Sequence, residues 1–130
     1  MRAAYPVVFV NSENEICRTF VPDFGVAAHG ANVAEAIEAT RHMIGTKGLE
    51  LEDRGEKIPP PFAAGEIDLD AGEFVSFVDI DFAEYRRAHD LRTVRRNVSL
   101  PSWLNVAADR AGLNVSAVLQ DALKSELNIE

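Results

Sequence analysis

Hydrophobic and polar positions along the chain follow two rhythms. Residues 5–10, YPVVFV, are rich in β-formers; the polar stretch Asn11-Ser12-Glu13-Asn14-Glu15 follows, and ICRTFV resumes the pattern, which predicts a hairpin. Pro22 and Gly25 in VPDFG break the second strand, and VAAHG predicts a short third strand ending at Gly30. The rhythm then changes. Val33, Ala36, Ile37, Thr40 and Ile44 recur at helical spacing while Glu35, Glu38 and Arg41 fall elsewhere, so one amphipathic helix is expected to pack on the hairpin sheet. Asn32 can cap its first free amides while Glu35 reaches back, the pattern of a capping box. Gly45 is the expected stop. Residues 46–72, with glycine and lysine breaks and the run Pro59-Pro60-Pro61, predict a long connection that includes a short strand over residues 65–70. FVSFVDIDF, residues 74–82, is apolar or β-forming except at Ser76, Asp79 and Asp81, which predicts a strand central in its sheet. AEYRRAHDLRT then reads as a helical or irregular linker.

The last segment has its own pattern. Period-two alternation puts Arg95, Asn97 and Ser99 on one face of an extended run and Arg96, Val98 and Leu100 on the other. Pro101 ends that strand, and Ser102 can open a helix whose Leu104, Ala107, Ala108 and Ala111 face inward. Gly112 permits a chain reversal. Asn114 can cap a second helix with Val115, Val118, Leu119, Ala122, Leu123 and Leu127 on one stripe. About 35 residues are too few to bury such a stripe, and a single strand has no ladder, so the segment is expected to pair with another copy. Val98, Leu100, Leu104, Val118, Leu119 and Leu123 form the expected dimer core. The pair would present Arg95, Asn97 and Ser99 twice on a two-stranded ribbon, an element that fits the DNA major groove; there Arg suits guanine, Asn suits adenine and Ser serves either.

Charge sharpens this division. The net charge is -8, yet residues 1–90 hold 17 acidic and 8 basic residues whereas residues 91–130 hold 4 and 5. An acidic front argues against nucleic-acid binding through that part but leaves a local basic strand free to do so. At 47% hydrophobic and 26% charged, the 130 residues suit one ordinary domain or two small ones. A lone cysteine, Cys17, excludes an internal disulfide and a cysteine-rich zinc site, and is expected to be buried packing in a reduced, cytoplasmic compartment. No run is long enough to cross a bilayer, and no apolar signal core follows Met1. His29, His42 and His89 show no metal-ligand spacing, and Trp103 is expected in the core or a dimer interface.

The segment RRNVSLPSWLNVAADRAGLNVSAVLQDAL resembles a ribbon-helix-helix DNA-binding domain, including the Leu100-Pro101 junction and the Gly112-Leu113-Asn114 turn. The resemblance implies base reading by Arg95, Asn97 and Ser99 and phosphate binding at the Asn114 and Val115 amides, where a helix N-terminus favours an anion. Arg96 departs from the family's apolar face: either its stem is buried at the edge of the core or the register shifts by one. With YPVVF, VPDFG, NVAEAIEA and RGEKIPPPF in order before it, nearly the whole chain resembles HicB-type antitoxins, although VPDFGVAAHG lacks the family's usual aromatic-Pro-Asp-Leu-Pro-Gly-Cys form.

That resemblance implies an α+β protein with three parts. Residues 1–85 would form a partial ribonuclease-H-like sheet with one main helix that binds a HicA-like toxin, a small basic messenger ribonuclease. Residues 86–91 would be a linker, and residues 92–130 a ribbon-helix-helix domain that dimerises and binds operator DNA, with a tetramer left open. No cofactor, metal, catalytic residue or membrane partner is expected. Two other functions compete: a solitary regulator whose front senses a ligand or protein, and a metal-dependent nuclease using Asp68, Asp70, Asp79 and Asp81.

Overall fold

The computed structural model describes residues 2–11, 16–62, 65 and 67–129. It divides into two compact units, Met1–Arg92 and Thr93–Glu130.

In the first unit β1 (Arg2–Asn11), β2 (Cys17–Val21), β3 (Val26–Gly30) and β4 (Glu73–Asp81) form one antiparallel sheet in the order β3-β2-β1-β4. Of the expected turn at Asn11-Ser12-Glu13-Asn14-Glu15, residues 12–15 lie outside the described ones. The β2–β3 reversal closes on Gly25, whose φ of 64° suits a residue with no Cβ, and its amide donates to the Val21 carbonyl at 2.8 Å.

β4 is an edge strand, not the central one its apolar run predicted. Its two apolar faces have different causes. Val78 and Ile80 pair with Tyr5 and Ala3 on the helix-covered face, whereas Val75 and Phe77 pair with Val8 and Pro6 on the other face, where Phe77 is 58% exposed. Nor does the connection add a strand: residues 67–70 carry no ladder, and Glu66 lies outside the described residues.

The helix begins as expected. Asn32 Oδ1 accepts from the Glu35 amide at 2.9 Å, and Glu35 reaches back to the Ala31 amide at 3.0 Å, one residue before the cap. It does not stop at Gly45. α1 runs Val33–Asp53 and ends at Arg54, where Gly55 takes the left-handed conformation with φ 74°. Gly45 and Gly48 are interior and buried because another helix lies against them. This is α2 (Phe82–His89), which continues directly from β4. A Cβ on Gly45 would stand 2.6 Å from the Tyr85 ring, and one on Gly48 would collide with the Phe82 ring. The two glycines trade helix propensity for a close crossing.

The core lies between α1 and one face of the sheet, with Tyr5, Val7 and Phe9 of β1 at its centre and Ala36, Ile44, Val78, Ile80 and Phe82 around them. Tyr5 donates its hydroxyl to the Pro59 carbonyl at 2.6 Å, which ties the proline run to the sheet. Burial, with the Asp23 carboxylate second, raises the Tyr5 pKa. Cys17 is buried as expected, and burial pushes its thiol pKa up.

One polar pair interrupts this layer. Thr40 donates to the Ala36 carbonyl at 2.6 Å, so the buried Thr19 hydroxyl, 2.6 Å from Thr40 Oγ1, is the donor between the two. Thr40→Val is therefore expected to cost about 1–3 kcal/mol by stranding a buried hydroxyl, and the double change Thr19→Val/Thr40→Val less than the sum of the single ones. Urea unfolding of the three variants measures this; strict additivity would deny the coupling.

Residues 86–91, expected as a linker, contain the end of α2 and an ion-pair network within the first unit. Arg86 contacts Asp53 at 3.1 Å, Glu52 at 3.3 Å and Asp90 at 2.9 Å, and Arg92 contacts Asp90 at 2.8 Å and Asp53 at 3.4 Å. Hydrogen bonding from Arg92 holds the Asp90 carboxyl far below the usual carboxylate range. In the second unit, α3 spans Ser102–Arg110 and α4 spans Val115–Glu126.

Candidate nucleic-acid interface

The second unit is assembled by local rules. Pro101 occupies the cap position of α3 with no side-chain cap bond; the Leu104 and Asn105 amides donate to its carbonyl at 3.0 and 3.1 Å. α3 ends at Ala111 and Gly112, whose φ of 66° reverses the chain, and the Leu113 amide closes the turn on the Ala108 carbonyl at 3.2 Å. Asn114 caps α4 by accepting from the Ala117 amide at 3.1 Å. With Ala117 satisfied by the cap, the Val115 amide remains at the open N-terminus of a 12-residue helix, where backbone donors and the helix dipole favour an anion.

No residue of α3 or α4 is buried. Val98, Leu100, Leu104, Val118 and Leu119 line one wholly apolar groove, with Ala108, Leu113, Val115 and Ala122 completing its wall. Leu123 lies outside that wall, one helical turn beyond Leu119. Of the six residues expected to form a dimer core, Leu119 is half-buried and the others are between 39% and 51% exposed. Trp103 is exposed to 72%.

Residues 91–101 have neither helix nor ladder within the chain. Arg95, Asn97 and Ser99 are exposed there, as are Arg96 and Val98. Arg95 and Arg96 make no ion pair among the described residues, in contrast to Arg92, which is bound to Asp90 and Asp53. Of the three arginines near the root of the tail, two present unpaired guanidiniums.

Two of the four carboxylates weighed as metal ligands, Asp79 and Asp81, have other partners. Asp79 accepts from Arg2 at 2.7 Å and Arg41 at 3.2 Å, and Arg41 also pairs with Glu38. Hydrogen bonding from Arg41 lowers the Asp79 pKa. Asp81 caps α2 by accepting from the Ala83 and Glu84 amides at 3.1 and 3.3 Å, and the Glu84 bond is the first cause of its lowered pKa. Asp70 gives its amide to Glu73 at 2.7 Å, and no cluster of three potential metal ligands occurs among the described residues.

One grouping went unseen in the sequence. Tyr85 places its hydroxyl 2.8 Å from His42 Nδ1 and 2.9 Å from Thr46 Oγ1, and its ring stacks on His89 at 4.0 Å. The spacings of four between His42 and Thr46 and between Tyr85 and His89 were the available signal, legible only once α1 and α2 are known to cross.

No family model matches the sequence, and no curated protein matches it. Solved structures do. A chain of a toxin–antitoxin complex from Streptococcus pneumoniae superposes with a TM-score of 0.60 at 20% identity, covering 97% of this chain and 99% of the other. The antitoxin HicB of Burkholderia pseudomallei superposes with a TM-score of 0.55 at 21% identity, covering 97% of each chain. At this identity the likeness is one of fold, and it extends over both units. No helix among the described residues is long and apolar enough to cross a membrane.

Proposed function

We propose that the chain is the antitoxin of a toxin–antitoxin pair: its first unit binds and inhibits a small messenger-cleaving ribonuclease of the HicA type, and its second unit pairs with another copy to bind operator DNA and repress transcription. The observation that carries the reading is the conjunction of two features. The fold is shared along nearly the whole chain with a toxin–antitoxin complex and with an antitoxin. The tail presents an apolar groove beside unpaired Arg95, with Asn97 and Ser99 exposed on the same run. A 35-residue segment that buries none of its helical residues gains its core by pairing, and pairing turns each run into one strand of a ribbon.

The first unit acts by binding rather than by catalysis. Its acidic balance attracts a protein built to hold RNA and accelerates encounter. Asp79 and Asp81, the carboxylates nearest to a nuclease arrangement, serve a guanidinium pair and a helix cap. The test is inhibition. A small basic protein encoded beside this gene should cleave messenger RNA when alone and lose that activity when mixed with an equimolar amount of this chain. Undiminished cleavage, or metal-dependent cleavage by this chain that Asp79→Asn abolishes, would sink the inhibitory half.

A further inference from the structure

The crossing of α1 and α2 brings His42 and His89 side by side, with ring centres 5.7 Å apart, although nothing in their sequence spacing groups them. Both residues are exposed, and each uses one ring nitrogen within the protein. His89 Nδ1 lies 3.0 Å from the Tyr85 carbonyl, which can only accept, so in the neutral ring Nδ1 carries the proton and Nε2 the lone pair. His42 Nδ1 lies 2.8 Å from the Tyr85 hydroxyl. That hydroxyl has one proton and also reaches the His42 carbonyl at 3.3 Å; giving the proton there makes His42 Nδ1 the donor and leaves the lone pair of this ring on Nε2 as well. Neither Nε2 has a hydrogen bond or ion pair among the described residues. The two rings line one open cavity of about 440 Å³ together with Glu50, Asp53, Asp90 and Arg92, a wall in which carboxylates outnumber guanidinium groups.

We propose that His42 and His89 hold one divalent transition-metal ion, of the class of Zn2+ and Cu2+, between their Nε2 atoms. An ion about 2 Å beyond a ring nitrogen stands roughly 3 Å from that ring's centre, so one ion can serve two rings whose centres are as far apart as these. Neutral imidazole suits this class of ion, and a ligating histidine ordinarily has its other nitrogen held by a carbonyl or a polar side chain. Tyr85 supplies that support to both rings, through its carbonyl to His89 and through its hydroxyl to His42, and its own ring stacks on His89 at 4.0 Å. The remaining coordination positions fall to water, because the carboxylates of the wall are already held by cations. Asp53 and Asp90 pair with Arg86 and Arg92, and Glu50 pairs with Lys47 and Arg54. An ion bound here ties α1 to α2 across the crossing that Gly45 and Gly48 keep close. The site lies wholly within the first unit and does not depend on the chain being an antitoxin.

The probes are Zn2+ and Cu2+, each added alone to the metal-free full chain. Zn2+ is expected to raise the melting temperature by several degrees, since an ion that binds the folded chain and not the unfolded one stabilises it. His42→Asn and His89→Asn each keep a donor where Nδ1 stood and lack Nε2. Each should melt as the native chain does without metal, bind Zn2+ at least tenfold more weakly, and lose most of the rise. His29→Asn should change nothing. A rise that survives both substitutions, or that His29→Asn removes, overturns the proposal. The native chain loaded with Cu2+ asks the question with no substitution. Electron paramagnetic resonance should show one ion per chain coupled to two imidazole nitrogens. Coupling to one imidazole or to none overturns the site and leaves an ion caught adventitiously at the surface.

Discussion

Arg95→Ala/Asn97→Ala is expected to abolish the preference for operator DNA while leaving the fold intact. Both side chains are exposed, and neither has a side-chain hydrogen bond or ion pair among the described residues, so their loss costs the folded chain little. A base-edge contact is worth about 1–3 kcal/mol of discrimination, and a paired tail presents each residue twice. Four lost contacts therefore remove at least about 4 kcal/mol, roughly a thousandfold in specific affinity. Binding to unrelated DNA should fall much less, because the phosphate contacts proposed at the α4 N-terminus would persist. Arg92→Ala is the informative control. Its guanidinium is held by Asp90 and Asp53, so it should leave specific affinity nearly unchanged although it lies only three residues from Arg95. Fluorescence anisotropy over a salt series, on the operator and on scrambled duplex, separates these outcomes. Equal losses on both duplexes would make Arg95 and Asn97 phosphate contacts and remove the ribbon from base reading.

Gly48→Ala is expected to destabilise the chain by about 1–3 kcal/mol even though alanine in a helix interior normally stabilises it by about 1. The cause is local. The position of a Cβ on Gly48 is occupied by the Phe82 ring, and that ring is itself buried between α1 and Tyr5. The effect should therefore change sign with the ring. In a Phe82→Leu background, already weakened by lost packing, the same Gly48→Ala change should be neutral or stabilising. Chemical denaturation of the four proteins completes the cycle. A cost that persists in the leucine background would place its origin somewhere other than the α1–α2 crossing.

These two cases mark where the sequence was readable. The hairpin strands, the third strand, the Asn32 cap and the Gly112 reversal all depend on neighbouring residues, and each was legible in them. Gly45 and Gly48 were not, because glycine breaks a helix unless something demands the missing side chain, and the demand comes from Tyr85 and Phe82, which lie in another helix far along the sequence. The edge position of β4 was hidden for a related reason. An apolar outer face reads as a buried one, yet within the first unit α1 covers the opposite face of the sheet from Val75 and Phe77. On the tail, Arg95, Asn97 and Ser99 are exposed but so are Arg96, Val98 and Leu100, so the alternation leaves no mark on burial within one chain, whereas Val98, Leu100, Leu104, Val118 and Leu119 come together in one groove. Arg92 falls at the start of the segment expected as the DNA-binding domain, and its tie to the first unit was hidden because its acidic partner Asp53 lies at the far end of α1.

The proposed pairing of the tails would have a consequence for the lifetime of the protein. Helices with no fully buried residue of their own would then be folded by mass action, and the fraction of ordered tail would fall as the chain is diluted. On that reading the DNA-binding form scales at low copy number with the square of concentration, and the unpaired remainder offers exposed leucines and an extended backbone to proteases. Scarcity would accelerate turnover, and repression would fade more steeply than the protein itself disappears.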